Sequence, residues 1–542
     1  MKSSGLSRRS ALKKLGGGAA LPLGLSRAPV GADPAEAAPP AGAITVLAAA
    51  PATVERATLF AFDDVSIPHW QNLYLRMFAA RKHPDNPVLR RGESGRPDEF
   101  RAQFYGSIIR HEGKYKMWYI AGDQDAIREL RKRSFLGWRP AYAESDDGIH
   151  WRKPNLGLVD YGGNRNNNLL RLDPPELMGM HLVVLHEPED PDPVRRFKML
   201  LLTRSARGDT SVPLYSADGL RWQAAIELKM TSNVFPSEGF VLPHEFFEQA
   251  GLYRWQGTYF VPGQQGSPSV WLPNGEPCGR VMSIFRSRDF RHWSQTKTVA
   301  FIRDQARALP RNRGKQAHEG ASVWHRGNVL LGLFGLFNGS PDDDGTKREG
   351  HPMDLGLLIS NDGIHFREPM PDYVLIPSGP AGTWDSKGLI SGQGFENLDG
   401  ETRIWYGGLD GDITAFEVRA EVGVVTLRED GFGALSVKDA AAPATFITCL
   451  LRAPTGATLS VNADGLSEAS HLKIELLNEA EELIPEYSGD EAPPLRERGL
   501  RTRVVWKGKK RIAPRKDPFR IRVGFDGAQR GEIKLYALYL ES

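Results

Sequence analysis

The sequence holds only two cysteines, Cys278 and Cys449, among 542 residues. That count excludes a disulfide framework, and we expect free or buried thiols because the two residues fall in different predicted domains. No apolar run reaches the roughly 18 residues of a membrane-spanning helix. A phosphate-binding loop, a zinc-ligand spacing and a nucleophile elbow are also missing. We therefore predict no cofactor, no metal and no membrane span.

Net charge is nearly absent as well. The formal charge is +3 at pH 7, and six of the 69 basic residues but only two of the 66 acidic residues lie in positions 1–37. The rest of the chain therefore carries a net charge of −1. A chain so close to neutral gives no electrostatic reason to expect nucleic acid or an anionic membrane as a partner.

Residues 1–37 are predicted to be an export signal. A basic start precedes the weakly apolar stretch Leu15–Leu25, and Ala35-Glu36-Ala37 supplies a small-x-small cleavage signature. The segment Ser7–Lys13 resembles the twin-arginine consensus, which implies transport of a folded protein to the periplasm or beyond. A disordered basic N-terminus is the alternative. Residues 38–55, rich in Ala and Pro, are predicted to be a linker.

A short phrase of the form Ser-x-Asp-(Gly/Phe)-x-x-aromatic occurs four times, beginning at Ser145, Ser216, Ser287 and Ser360. The spacings are 71, 71 and 73 residues, and a phrase at a near-constant interval marks an internal repeat. Ser and Asp side chains bond backbone N–H groups in tight turns, and Gly tolerates positive φ. The phrase therefore predicts a turn that recurs once in each structural unit, at its outer edge.

The repeats predict an all-β fold. Apolar runs of strand length precede each phrase, and long helical periodicity is missing. Roughly four strands fit a unit of about 70 residues, which is the size of a propeller blade. We predict a five-bladed β-propeller over 56–428, with Ile413–Val418 as the outer strand of the last blade. Ala57–Phe62 is predicted to close the ring. Shorter alternating strands predict a C-terminal β-sandwich over 429–542.

A five-bladed propeller followed by a β-sandwich resembles the glycoside hydrolases of families 32, 43 and 68 and their uncharacterised relatives. The blade-edge segment Tyr142–Pro154 and the Asp430–Gly433 segment that opens the sandwich carry the resemblance. The chain lacks the Asn-Asp-Pro-Asn-Gly and Arg-Asp-Pro motifs of family 32. It has Tyr105 where family 43 places an Asp. The resemblance implies cleavage of a poly- or oligosaccharide by carboxylates that project from the inner strands into a central funnel.

Glycosidic cleavage needs two carboxyl groups that flank the bond. The resemblance implies a general acid at Glu319, in His318-Glu319-Gly320, or at Glu238, which stands in a similar Glu-Gly context. It also implies a base or nucleophile from blade one, for which Asp98 is the candidate. The alternatives are a solvated loop carboxylate for the two glutamates and a turn-forming role for Asp98.

Substrate contacts are predicted from residues near the starts of the inner strands. An Asp there would tune the pKa of the acid or hold a hydroxyl, and an aromatic face would stack on a sugar ring. The candidates are Asp173, Asp385, His318, Trp384, Gln264 and Arg101. Asp342-Asp343-Asp344-Gly345 lacks the alternate spacing of a calcium loop and is predicted to be a solvated surface loop.

Three functional hypotheses follow. The first is an exported glycoside hydrolase with a carbohydrate substrate. The second is a carbohydrate-binding propeller without catalysis. On this hypothesis the funnel carboxylates would lie too far apart, or point away, to flank one bond. The third is a sialidase-like enzyme, because the repeated phrase resembles the Asp-box. A sialidase needs six blades and an arginine triad, and five blades argue against it. No oligomeric state is predicted.

Overall fold

The computed structural model describes residues 43–542 apart from 49–50, 133, 206–207, 229–246, 267–268, 273, 276, 304–313, 340–352 and 413–416. Strands dominate this part of the chain, which also contains the α-helix Gln124–Arg131. Short 3-10 helices are Pro193–Arg195, Pro485–Tyr487, Gly489–Glu491 and Arg530–Glu532. Among these described residues no helix has the length and apolar character needed to span a bilayer. The predicted all-β fold is confirmed.

Five groups of antiparallel strands form the blades, each beginning with its inner strand, and a parallel pairing of inner strands joins blades 1 and 5 into one eight-stranded sheet. Blade 1 consists of Arg101–His111, Lys114–Gly122, Arg139–Ser145 and Trp151–Arg152. Blade 2 consists of His181–His186, Phe197–Ser205, Gly208–Ser216 and Arg221–Ala224, with Arg171–Asp173 added at its outer edge. Blade 3 consists of Glu248–Gln249 and Tyr253–Trp255, then Thr258–Gln265, Val281–Ser287 and Ser294–Phe301. Blade 4 consists of Lys315–His325, Leu330–Asn338, Asp354–Ser360 and Val374–Ile376. Blade 5 consists of Gly388–Leu398, Glu401–Asp412, Glu417–Arg428 and Arg81–Lys82.

The inner strands enclose a common axis. The inner strand of blade 1 contacts the inner strands of blades 2 and 5, and it pairs in parallel with blade 5 at Ser107 and Gln393. Blade 2 in turn contacts the first strand of blade 3, and the inner strand of blade 4 lies between blades 3 and 5. Because each blade is covered by its neighbours, its strands are apolar on both faces, as the runs of buried residues in blades 2 and 4 show. This is the arrangement of a β-propeller.

The ring is closed by a two-residue strand. Arg81–Lys82 pairs with the third strand of blade 5, Glu417–Arg428, and becomes the outer strand of that blade. The prediction that Ala57–Phe62 closes the ring is wrong, because Arg56–Phe60 pairs with Lys534–Glu541 in the sandwich. The outer strand predicted at 413–418 is also wrong where the structure describes it, since 417 and 418 belong to the third strand. Residues 413–416 lie outside the described residues.

Two further sheets form the sandwich, and strands from both ends of the sequence build them. One sheet contains Ile44–Leu47, Ala52–Val54, His69–Gln71, Ala444–Ile447, Leu450–Ala453, His471–Asn478 and Arg515–Asp526. The other contains Arg56–Phe60, Leu73–Met77, Gly433–Val437, Thr458–Asp464, Gly499–Arg503 and Lys534–Glu541. A single apolar core joins the two sheets. The predicted boundary at residue 56 and the linker over 38–55 are therefore wrong for the described residues up to 77, which contribute strands to the sandwich.

The repeated phrase forms the turn between the third and outer strands of blades 1 to 4. In blade 1, Ser145 Oγ accepts from the N–H of Gly148 at 2.9 Å, and Asp147 Oδ1 accepts from the N–H groups two and three residues further on at 2.8 Å. Trp405 of the neighbouring blade donates to the carbonyl of Gly148 at 2.9 Å. The corresponding donors to the other three turns are Trp118, Tyr215 and Tyr253. The phrase therefore fixes each blade to the one before it.

Candidate active site at the propeller axis

Three inner strands share a break in their pairing near the axis. The register shifts after Gln103 in blade 1, after His318 in blade 4 and after Ser391 in blade 5. These are the third or fourth residues of their strands. A bulge re-aims the side chains of its extra residues. In blades 1 and 4 those residues include Tyr105 and Glu319, whose side chains meet.

Glu319 adopts a backbone conformation that glycine normally supplies. Its φ is +68°, and the following Gly320 has a φ of +76°. A Cβ on Gly320 would lie 2.6 Å from the Cα of Gly263 in blade 3, so only glycine fits at that position. A non-glycine residue at positive φ is strained, and such strain persists where the surroundings impose it, often at functional sites. The side chain of Glu319 is thus fixed by backbone packing.

The carboxylate of Glu319 receives donors from two other blades. The hydroxyl of Tyr105 in blade 1 donates to Oε1, and the backbone N–H of Ser391 in blade 5 donates to Oε2 at 3.3 Å. His318 Nδ1 lies 3.4 Å from Oε1. The residue is only 1% exposed. Glu319 therefore joins blades 1, 4 and 5 at the centre of the ring.

Blade 3 adds a second carboxyl group to this cluster. The side-chain amide of Gln264 accepts from the backbone N–H of Glu319 at 3.0 Å and donates to Oε2 of Glu248 at 2.8 Å. The amide of Gln264 thus links the backbone of Glu319 to the carboxylate of Glu248. Glu248 was not predicted, because Gln249 follows it and the candidate acids were identified by a Glu-Gly pair before an apolar run. The available signal was the position of Glu248 at the start of an inner strand.

Blade 2 contributes a neutral histidine. The ring of His181 stacks on Tyr105, with centroids 3.7 Å apart and planes inclined by 15°. Burial lowers the pKa of His181 to about 3, so the imidazole is uncharged at neutral pH. Its Nδ1 and the buried Oγ of Ser391 have no hydrogen-bond partner among the residues that the structure describes. Buried polar groups normally have partners, so these two atoms are exceptions inside the ring, shielded from solvent.

Arg101 stands beside the cluster as a buried cation. It donates to the carbonyl of Val418 and, at 3.1 Å, to Oε1 of Gln103. Its guanidinium lies 5.2 Å from the centre of the Trp138 ring. Burial lowers the pKa of Arg101 to about 10, so the side chain stays charged at neutral pH. Arg101 therefore supplies positive charge near the start of blade 1 while it holds the blade 5 backbone.

Asp98 is enclosed instead of facing the axis. Tyr119 donates to its Oδ2 at 2.8 Å and Lys153 lies 2.5 Å from the same atom, while only 2% of the residue is exposed. These partners bind one carboxylate oxygen and tie Asp98 to blade 1. The catalytic role predicted for Asp98 stays a prediction.

Asp385 has the equivalent Lys and Tyr contacts in blade 5. Lys82 lies 2.5 Å from its Oδ2, and Tyr406 donates to the same atom at 3.0 Å. Each Asp ends a Gly-x-x-Gly-x-x-Asp loop, over 92–98 in blade 1 and 379–385 in blade 5. A Lys and a Tyr contact Asp385 as they do Asp98, and the substrate contact predicted for Asp385 stays a prediction.

Two other predicted substrate contacts lie away from the cluster. Asp173 is exposed on the strand at the outer edge of blade 2, which pairs with Arg221–Ala224. Trp384 is half-buried and packs on Tyr406, with ring centroids 5.7 Å apart, against the core of blade 5. The substrate contacts predicted at Asp173 and Trp384 stay predictions. Of the remaining candidates, the structure brings His318 and Gln264 against Glu319, and it places Arg101 next to Gln103.

Two predictions fall on segments outside the described residues. They are the second candidate acid, Glu238, and the loop Asp342–Asp344. Within the described ranges, no group of three or more His, Cys, Asp or Glu side chains is placed to hold a metal ion. Both cysteines are buried free thiols in this part of the chain.

No protein-family model matches the sequence, and no curated protein sequence matches it. Several solved structures superpose on part of the chain. A candidate glycosidase from Bacteroides thetaiotaomicron has 14% identity and a TM-score of 0.40, covering 64% of this chain and 95% of its own. A glycosyl hydrolase from Bacteroides ovatus has 12% identity and a TM-score of 0.36, with coverage of 64% and 93%. A β-1,2-mannobiose phosphorylase from Listeria innocua has 11% identity and a TM-score of 0.39, with coverage of 66% and 97%.

Proposed function

We propose that this protein is a carbohydrate-active enzyme that hydrolyses glycosidic bonds at the propeller axis. The observation that carries the proposal is the buried Glu319, whose backbone is left-handed and whose carboxylate accepts from blades 1 and 5, while Gln264 links its backbone N–H to the carboxylate of Glu248. Two carboxyl groups are what glycosidic hydrolysis requires. His181, which stacks on Tyr105, and Ser391, whose N–H donates to Glu319, add polar groups to the same cluster.

The contacts support distinct roles for the two glutamates. Hydrogen bonds donated to a carboxylate favour its ionised form, and both oxygens of Glu319 accept such bonds. Glu319 is therefore proposed as the carboxylate that attacks the anomeric carbon or removes a proton from the attacking water. This replaces the general-acid role expected from the sequence. Glu248 is proposed as the acid that protonates the leaving oxygen.

A binding propeller without catalysis is the second candidate function. The observation that favours it is the enclosure of Glu319, whose exposed fraction is 1%. A carboxylate held this tightly also serves to tie blades together. On that account the axis would bind a saccharide through His181 and Ser391 without cleaving it.

A reducing-end assay on polysaccharide and oligosaccharide panels separates the two functions. The enzyme proposal expects activity that falls roughly 10³-fold in Glu319→Gln and Glu248→Gln, because each change removes an acid–base or nucleophilic group. Glu468→Gln is the matched control, since that carboxylate is exposed in the sandwich. Binding of a panel saccharide without any release of reducing ends, or release unchanged in Glu319→Gln, would contradict the proposal.

We also propose that residues 1–37 direct export by the twin-arginine route. The sequence support is the pair Arg8-Arg9, followed by a weakly apolar stretch and a small-x-small site. Replacing both arginines with lysine is expected to retain the protein in the cytoplasm, as fractionation of expressing cells would reveal. Unchanged export of the double variant would contradict this route.

A further inference from the structure

A second opening of the axial channel forms a pocket at the ends of the inner strands. All five blades line this rear pocket, with a volume of about 420 Å³. Its wall includes Ile109, Leu185, His186, Arg254, Trp324 and Phe395. In blades 1, 4 and 5 these lining residues follow the bulges that carry the Glu319 cluster. The rear pocket therefore opens on the opposite side of the ring from that cluster.

A side-chain amide separates the two sites. Gln393 of blade 5 accepts from the N–H of Leu252 in blade 3 at 2.8 Å and donates to the carbonyl of the same residue at 2.9 Å. Blades 5 and 3 are not neighbours in the ring, so this pair of bonds crosses the axis. Gln393 is the floor of the rear pocket, which is thus a separate chamber.

The wall of the rear pocket combines flat apolar surface with polar groups at its edge. The rings of Phe395 and Trp324 stack with centroids 5.6 Å apart and planes inclined by 7°. Arg254 and Glu187 form an ion pair of 3.0 Å at the edge. An aromatic face next to orienting polar groups is the surface that a sugar ring requires, because its C–H faces are apolar and its hydroxyls are not.

The charged side chains that line the rear pocket, Arg254 and Glu187, pair with each other. Glu187 also accepts from Tyr259 at 2.6 Å and pairs at 2.8 Å with the buried Lys198, which in turn pairs with Asp190. Arg195 lies 3.8 Å from Asp190, outside the lining of the pocket. Burial, together with His111 and Lys116, lowers the pKa of His186 to about 4, so this histidine adds no charge at neutral pH. A neutral ligand meets no unpaired charge here.

A larger cleft continues from the rear pocket. It has a volume of about 860 Å³, lies between blade 4 and the sandwich, and shares His325 with the pocket. Arg56, Arg326, Arg501 and Tyr539 are among the residues that line it. A chain of several sugar units that begins in the pocket has a path along this junction.

We propose that the rear pocket binds the ring of a neutral oligosaccharide without cleaving it, and that the adjoining cleft accommodates the following units. The volume of the pocket lies within the range of about 300–1,000 Å³ typical of small-ligand sites. Glu187 is the one carboxylate among the described residues that line the pocket, and glycosidic hydrolysis requires two, so the pocket lacks a catalytic pair. The choice of a saccharide rests on the proposed function, and the site would retain polymer near the axis.

Calorimetric titration of the Glu319→Gln protein tests the proposal. The probes are cellohexaose, β-1,4-mannohexaose, α-1,5-arabinohexaose and maltohexaose, with hexagalacturonate as the charged comparison. At least one neutral probe is expected to bind, and adding Phe395→Ala or Arg254→Gln is expected to raise the Kd of one binding event at least 10-fold. Trp271→Ala, which removes an exposed tryptophan elsewhere, should leave binding unchanged. Hexagalacturonate should not bind in the pocket.

The outcomes distinguish this site from the axial one. Failure of all four neutral probes to bind, or equal Kd values with and without the two pocket substitutions, would overturn the rear-pocket proposal. Arg254→Gln keeps the test decisive where Phe395→Ala does not fold. Binding that depends on Phe395 in a protein that cleaves no polysaccharide would overturn the hydrolase proposal alone. Cleavage that depends on Glu319, without binding that depends on Phe395, would overturn the rear pocket alone.

Discussion

The hydroxyl of Tyr105 in blade 1 donates a hydrogen bond to the carboxylate of Glu319 in blade 4, across the propeller axis. The same tyrosine stacks on His181 of blade 2. One side chain therefore orients the carboxylate and a neutral imidazole together. We expect the geometry of the axial site to depend on this tyrosine more than on any acid at the start of a blade.

Tyr105→Phe removes the donor but keeps the stacking on His181. We expect kcat for the hydrolysis to fall about 10- to 100-fold, because the carboxylate loses an orienting hydrogen bond. The free energy of unfolding should fall by about 1–3 kcal/mol, since a buried acceptor loses its partner. Steady-state kinetics and urea unfolding measure the two effects. Tyr161→Phe is the control, because it removes a hydroxyl that donates to Asp123 at 2.8 Å away from the axis, and it should leave kcat unchanged.

Lys153→Met should destabilise the protein strongly. It leaves the buried Asp98 carboxylate without its cation, and breaking a buried ion pair in this way reduces the free energy of unfolding by about 3–5 kcal/mol. Lys82→Met should act similarly through Asp385 in blade 5. Lys114→Met serves as the control in urea unfolding, because its partners are surface carboxylates and such pairs contribute about 0–1 kcal/mol. Equal losses of unfolding free energy in all three variants would contradict the interpretation that Lys153 and Lys82 neutralise buried carboxylates.

Asp98→Asn separates support from catalysis. The amide keeps the shape of the side chain, so the folded protein should retain kcat within about 10-fold while its unfolding midpoint falls. A loss of kcat near the roughly 10³-fold expected for removal of a catalytic acid or base, with an unchanged midpoint, would return Asp98 to the catalytic pair.

His150 should titrate above the ordinary range of histidine. A hydrogen bond from its Nδ1 to Oδ2 of Asp147 raises the pKa of His150. A raised pKa in the folded state stabilises the fold below the unfolded pKa of His150, and this contribution is lost as the pH rises through the folded value. Proton NMR titration measures the midpoint. Asp147→Asn should return it toward the ordinary value, and an unshifted midpoint in the parent protein would contradict the contact.

Burial alone would raise the pKa of Asp147, but hydrogen bonds from His150 and from the turn backbone lower it well below the ordinary range. The turn should therefore lose stability only as the pH falls far below neutrality, through the folded pKa of Asp147. A stability profile measured from pH 7 downwards should show no loss of this contribution near pH 5, because the Asp147 carboxyl is still ionised there in both the folded and the unfolded states. Asp147→Asn removes the contribution at neutral pH, which gives the comparison.

The repeated phrase made the blades predictable because a turn is a local structure. Ser145 and Asp147 bond within a few residues of themselves, so the sequence contains all of the information needed. The docking of Trp405 on Gly148 was not predictable, since these residues are more than 250 positions apart. The two-residue strand Arg81–Lys82 has no periodicity to detect.

The axial site was predictable only in part. Glu319 stands at an inner-strand position that the repeat length locates, and Gln264 lies on the second strand of blade 3, paired with Glu248. Asp98 had the same sequence appearance, and only the distant Lys153 shows that it is enclosed. Glu248 was missed because its link to Glu319 passes through the side chain of Gln264, which no sequence pattern records.

The pairing of Arg56–Phe60 with Lys534–Glu541 makes the propeller an insertion within the sandwich. A ribosome delivers the first of these strands long before the second, so the sandwich sheet stays incomplete while the whole ring is synthesised. A fragment that stops after blade 5 leaves Arg56–Phe60 and Leu73–Met77 with unsatisfied edges, and such edges promote aggregation. The propeller should therefore be produced together with the C-terminal strands. Folding of the sandwich should be completed only after the whole chain has been synthesised.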